Sequence, residues 1–174
     1  QGGTASGSSP HADSREMVFD ANGNLIEVDD GGIFKRTSPQ NNTGDWFSLA
    51  GSLGVIEFHD VAYDSLTNTL LGGTQDNGTH FQIVEGGKIF DFLSGGDGGD
   101  AAIDNIFLAG SNQSVRYSSF QNLGSLRRTE WDANNNLLST SFPARTVVGG
   151  GAALVPQFKT PVQTNNAAGN RLII

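Results

Sequence analysis

Two stretches of this chain run through the same order of residue classes, and the interval between them restricts the fold more than any other feature. Val18-Phe19-Asp20 is followed by a polar turn from Ala21 to Asn24, the apolar pair Leu25-Ile26, and the acidic cluster Asp29-Asp30-Gly31-Gly32. Ala62-Tyr63-Asp64 is followed by a turn from Ser65 to Thr69, the apolar pair Leu70-Leu71, and the cluster Gln75-Asp76-Asn77-Gly78. A degraded third copy carries Ala102-Ile103-Asp104, Ile106 to Gly110, and Ser111-Asn112. The repeated aspartates stand at 20, 64 and 104, intervals of 44 and 40 residues. Periods of that size describe an array of supersecondary units, each too small to bury its own apolar face.

The units are built from strands. Apolar runs of four to six residues, rich in Val, Ile, Phe and Leu, are bounded by Gly, Asn, Asp and Ser, and no stretch keeps a helical period. In the first unit the spacing predicts strands over 16–19, 25–28, 32–36 and 45–49, with Asn22-Gly23 as the hairpin turn. In the second it predicts 60–63, 69–72, 80–84 and 88–93, and in the third 101–103, 107–110, 115–119 and 126–131. A further pair is expected over 158–163 and 171–174. Four antiparallel strands repeating every ~40–45 residues describe a propeller blade. The fold class is therefore all-β: a β-propeller segment of about three four-stranded antiparallel blades plus the first strands of a fourth. The expected divisions are a flexible Gly/Ser-rich lead over 1–9, blades over 10–51, 52–94 and 95–150 (the last with a long exit loop), and a truncated blade over 151–174.

Charge and composition narrow the partners. The formal net charge is -8, and the ten basic residues form no patch, which argues against nucleic acid. Nothing approaches the ~18 apolar residues of a membrane helix, so no membrane insertion is expected. There is no cysteine, which removes disulfides and thiolate metal sites. The chain opens on Gln1 and ends on Arg171-Leu172-Ile173-Ile174, a strand cut off midway, so a piece of a longer protein is expected. Open blade edges invite pairing, and a second copy or the rest of the parent chain is expected to cover them.

In a four-stranded meander the second–third loop and the link to the next unit lie at the same end. That geometry collects Asp29 to Gly32 and Gln75 to Gly78 with the links His11-Ala12-Asp13-Ser14-Arg15, Glu57-Phe58-His59-Asp60 and Gly95 to Asp100. The chain is expected to present an acidic rim there, on the loop end where binding residues concentrate.

His11 to Arg15, Asp30-Gly31-Gly32, Gly72 to Thr79 and Gly95 to Gly99, taken in that order, resemble the multi-bladed propellers of the Asp-box class, which include sialidase-like, xyloglucanase-like and sortilin-like proteins. Gly44-Asp45-Trp46 resembles a worn Asp-box tail lacking its Ser-x-Asp-x-Gly part. The resemblance spans about residues 10 to 174 and implies the fold more than any one activity, because that fold hosts hydrolases, receptors and adhesins.

Three readings of the clusters stay open at the level of sequence. Asp and Gly can be there for turns, with Asp capping backbone N–H groups and Gly supplying positive φ. They can hold calcium, with Asp29, Asp97 and Asp100 as candidate ligands, although no loop has alternating Asp spacing. They can cleave glycosides with two carboxylates, for which Asp30, Asp76 and Asp97 are the candidates. The favoured expectation is a non-catalytic or catalytically incomplete segment of a larger secreted or surface protein. Its acidic loops would bind a glycan or protein ligand through His11, Asp13, Arg15, Asp30, Gln75, Asp76, Asn77 and Asp97, with no cofactor required. A glycoside hydrolase part and a calcium-binding adhesion module are the alternatives.

Overall fold

The structure, a computed structural model, describes residues 3–54, 56–145 and 152–174. It is all-β, with four antiparallel sheets and two 3-10 turns among the described residues. No helix among them is long and apolar enough to cross a membrane. The chain forms two compact units, Gln1–Glu57 and Phe58–Ile174.

The first unit is one meander of β1 (Glu16–Phe19), β2 (Leu25–Asp29), β3 (Gly32–Arg36) and β4 (Trp46–Ser48), in that spatial order. Each strand lies within about one residue of its expected place, because alternation and turn chemistry agree locally. The β1–β2 turn is closed by Asp20, whose carboxylate accepts the Asn24 side-chain amide at 2.8 Å and the Asn22 and Asn24 backbone N–H groups at 2.8 and 2.9 Å. Those bonds hold the carboxyl below its usual range, the Asn24 side chain contributing most.

The Gly/Ser-rich lead, expected to be flexible, is bonded across this sheet. Asp45 accepts from the Ser8 and Ser6 hydroxyls at 2.6 and 2.7 Å and from the Ser6 N–H at 3.0 Å. Arg36 donates through Nη2 to the Gly3 carbonyl at 3.0 Å, and the Ala5 N–H donates to the Gly44 carbonyl at 3.1 Å. The two serine hydroxyls, Ser8 first, hold the Asp45 carboxyl below its usual range. A carboxyl lowered on folding stabilises the folded form fully above its ordinary range and loses that contribution as pH falls through the lowered value. The lead should therefore loosen on acidification below the ordinary carboxylate range, and Asp45→Ala should loosen it at neutral pH. Amide exchange at Ala5 reads both, and unchanged protection in Asp45→Ala would contradict the docking.

The second unit holds two more meanders and a hairpin. β5 (Phe58–Asp64), β6 (Thr69–Thr74), β7 (Gly78–Gln82) and β8 (Phe90–Ser94) follow the expected order. The next sheet is β9 (Ala102–Asp104), β10 (Gln113–Phe120), β11 (Gly124–Asp132) and β12 (Leu137–Ser141), with β9 and β12 at its edges. β13 (Gln163–Thr164) pairs with β14 (Leu172–Ile173).

The third repeat corrects the sequence reading. Residues 107–110 are not a strand: the Asp104 carboxylate takes the Ile106 and Phe107 N–H groups at 2.8 and 2.9 Å and folds the chain into a turn ending at Asn112, φ 55°. The stretches expected as third and fourth strands are thus second and third, and the fourth is the exposed Leu137–Ser141. Its entry turn, Asp132 to Asn136, repeats the bonding of Asp20 to Asn24: Asp132 accepts the Asn134 and Asn136 N–H groups at 2.9 Å each and the Asn136 amide at 3.0 Å. Of the expected strand over 158–163, only Gln163 lies in a ladder. The division expected between 150 and 151 falls outside the described residues.

The core of the second compact unit gathers Ala102, Val115, Tyr117, Leu123, Leu126 and Val162. β10 is buried over Ser114 to Ser119, hence on both faces.

Candidate functional site

In the second unit the β6–β7 turn and the β8–β9 link fold onto one another around Asp97. Its Oδ1 accepts the Gln75 side-chain amide at 2.9 Å and the Asp76 N–H at 3.0 Å. The Asp97 N–H donates to Gln121 Oε1 at 3.2 Å, and its carbonyl accepts the Gln121 N–H at 2.9 Å. The Gly98 N–H donates to the Thr74 carbonyl at 3.0 Å. This close approach requires glycine, since a Cβ at Gly98 would stand 2.5 Å from Gly73 Cα. Asp76 sits at φ 54°, the left-handed conformation that a short polar side chain tolerates in a turn. Asn77 turns its amide back onto the Gln75 carbonyl at 2.8 Å.

His59 completes the cluster, a residue that sequence reasoning set on the rim without a role. Its Nδ1 faces the Gly98 carbonyl at 2.8 Å and its Nε2 faces Gln75 Oε1 at 2.7 Å. The bond from Gln75 Nε2 to Asp97 orients the amide, so both ring nitrogens face acceptors. Asp100 points elsewhere: its Oδ2 accepts the Val162 N–H at 3.1 Å and ties the link to the segment before β13.

In the first unit His11 to Arg15 meet the β2–β3 turn. Arg15 donates to Asp30 Oδ1 through Nε at 2.9 Å and Nη2 at 2.6 Å, with Glu57 at 3.5 Å from the same Nη2. The Asp30 side chain is fully buried while Arg15 is half exposed. The hydrogen bond and charge of Asp30 hold the Arg15 guanidinium above its usual value. Asp29 accepts the Gly31 N–H at 2.9 Å, a local turn bond, and the His11 ring packs against Gly31. Asp13 is exposed, at φ 60°. Asp29 and Asp30 each keep one buried carboxylate oxygen without a partner among the described residues.

Asp100 apart, the sequence-predicted residues gather around Asp97 within the second unit and around Asp30 within the first. Asp29 and Asp97 have turn-capping roles, Asp30 an ion-pair role. Their geometry suits rigid presentation, because loops clamped by charge-assisted hydrogen bonds lose little freedom when something binds.

The second unit also contains a polar centre built on the repeated Asp64 and on an arginine with no local sequence signal. Arg116 and Asp64 form a fully buried ion pair at 2.8 Å between the β5–β8 and β9–β12 sheets. Arg116 stacks 4.2 Å from the Trp131 ring centre and donates to Asn135 Oδ1 at 2.7 Å and Thr67 Oγ1 at 3.1 Å. Trp131 also meets Phe81 of the neighbouring sheet at 4.8 Å between ring centres, within the range of aromatic pairs.

No known protein family, curated protein or solved structure matches this chain.

Proposed function

We propose that the chain is a segment of an Asp-box-like β-propeller in a larger secreted or surface protein, and that its acidic loops bind a glycan or protein ligand without cleaving it. The arrangement of the second unit supports the fold half of this reading. Three successive sheets bring their leading strands together, β5 against β9 and β9 against β13, as blades do around an axis. A second copy or the remainder of a parent chain would cover the sheet surfaces where Val18, Phe19, Phe92 and Leu138 stand exposed.

The observation that carries the binding half is the clasp on Asp97. Glycoside cleavage needs two carboxylates on either side of the scissile bond, one to exchange a proton and one to activate water or attack a sugar carbon. Asp97 instead spends one oxygen on two donors that set the shape of the loop, and Asp30 spends one on a guanidinium fork. Both are scaffold uses, and they leave Asp76 and Asn77 on a turn of fixed shape.

Incubating the chain with arrayed β-glucans and sialosides, reading retention and released reducing ends together, tests this. Retention without cleavage is the expected result. Turnover that a single Asp30→Asn, Asp76→Asn or Asp97→Asn substitution abolishes would overturn it in favour of a glycoside hydrolase.

A further inference from the structure

A cleft of about 680 Å³ lies in the first unit between the docked lead and one face of the β1–β4 sheet. The ladder registers define that face. Met17 stands opposite Glu27, Leu25 opposite Arg36, and Arg36 opposite Trp46, and directly opposed residues share a side of the sheet. All five line the cleft, and residues of the lead, together with His11 just after it, form its other wall.

Two of the lining side chains are buried and incompletely bonded. Glu27 is 3% exposed and Arg36 7%. Glu27 Oε2 and Arg36 Nη1 have no hydrogen-bond partner among the described residues, although Arg36 Nη2 is held by the Gly3 and Asn41 carbonyls at 3.0 and 2.9 Å. Glu27 and Arg36 form no ion pair with each other, although the pairing register sets them on a diagonal of one face, within reach of long side chains. An unbonded buried polar atom is costly, more so when charged, and a ligand that bonds it recovers that cost.

We propose that this cleft binds one ring of a neutral pyranose. A carboxylate accepts hydroxyl protons and a guanidinium donates to hydroxyl or ring oxygens, so together they suit a ligand carrying both kinds of group. Their charges cancel, which favours an uncharged ring over a sialic acid. The Trp46 indole and the Met17 thioether supply the apolar wall against which the C–H face of a sugar packs. The site deepens the glycan reading above and rests on it, but it places the sugar under the lead, on residues other than those of the Asp97 clasp.

Met17 is the single methionine of the chain, so selective methyl labelling yields one resonance inside the cleft. The full chain is titrated with methyl glucoside, galactoside, mannoside and xyloside, and in separate arms with sialyllactose and with glycine. At least one neutral glycoside should move the Met17 methyl saturably, and Glu27→Gln should weaken that titration at least tenfold with an unchanged melting curve. If Glu27→Gln does not fold, the wild-type shifts of the Met17 methyl and of the Trp46 indole, assigned with Trp46→Phe, decide alone. A Met17 peak that answers only to sialyllactose or glycine overturns the proposal, as does a Glu27→Gln titration equal to wild type. Shifts confined to the Asn77 and Asp97 amides overturn the cleft and keep the glycan reading. No shift anywhere in the spectrum removes both.

Discussion

Arg116→Met should destabilise the second unit by about 3–5 kcal/mol, the range for removing one partner of a buried ion pair. The substitution keeps an unbranched apolar chain in place of the guanidinium but leaves the Asp64 carboxylate fully buried with its charge uncompensated. It also removes the stack on Trp131 and the bonds that hold Asn135 and Thr67. Asn135 matters beyond its own bond, because its amide reaches the Gln82 and Ile83 carbonyls at 2.9 Å each and so ties the β11–β12 turn to the neighbouring sheet. Burial pushes the Arg116 guanidinium below its usual pKa and the charge of Asp64 opposes that, the pattern of a cation held inside by its partner. The double variant Asp64→Leu, Arg116→Met removes both charges and should be more stable than Arg116→Met alone. Thermal melts followed by circular dichroism test both statements. A loss below about 1 kcal/mol in the single variant would mean that the pair is hydrated and weak.

Gly73→Ala should cost about 3 kcal/mol, at the upper end for overpacking, and should open the acidic clasp while the rest of the unit stays folded. A Cβ at this position would stand 1.9 Å from the Gly99 carbonyl oxygen and 2.8 Å from the Gly98 carbonyl carbon. Both obstacles are backbone, so no side chain can swing aside. The β8–β9 link would have to lift from β6, breaking the Gly98 bond to Thr74 and carrying Asp97 away from Gln75 and Asp76. Amide exchange at Asp76 and Gly98 should accelerate by orders of magnitude, whereas Gly110→Ala, where an added Cβ meets nothing within 4 Å, should be near neutral. Equal behaviour of the two variants would sink the argument.

The two tests bear on features of different legibility. Gly73 lies in a run, Gly72-Gly73-Thr74-Gln75-Asp76, whose composition marks a backbone brought close to something, and the expectation that this turn and the Gly95 to Asp100 link share one end agrees with the clasp. Arg116 gave no such mark. It alternates with Val115 and Tyr117 as any strand arginine does, and its partner lies 52 residues away.

The clearest local failure is the third repeat. Phe107 to Gly110 has the apolar character of a strand, yet three oxygen-bonded amides around Asp104 turn it: Ile106 and Phe107 on one carboxylate oxygen, and Asn170 on the other. Burial alone would raise the Asp104 carboxyl, but these backbone bonds outweigh it and hold it low. One of the three comes from a residue 66 positions away, beyond any local pattern. Leu137–Ser141, two leucines followed by Ser-Thr-Ser, is exposed throughout and so lacks the apolar–polar alternation that marks a strand with one buried face. Its signal was present all the same in Asp132-Ala133-Asn134-Asn135-Asn136, a near copy of Asp20 to Asn24.

What the sequence by itself determined about this protein is short-range: strand alternation, the Asp–Asn turns, and the acidic Gly-containing turns at strand ends. Each is decided by neighbours a few residues apart, through side-chain period and backbone hydrogen bonds. Only the tertiary structure decided which carboxylates serve the scaffold, where Arg116 is buried, and that a lead of Gly and Ser docks through Asp45 to close a cleft over Glu27 and Arg36. Those outcomes depend on which groups packing removes from water, a property of the assembled sheets and not of any stretch of the chain.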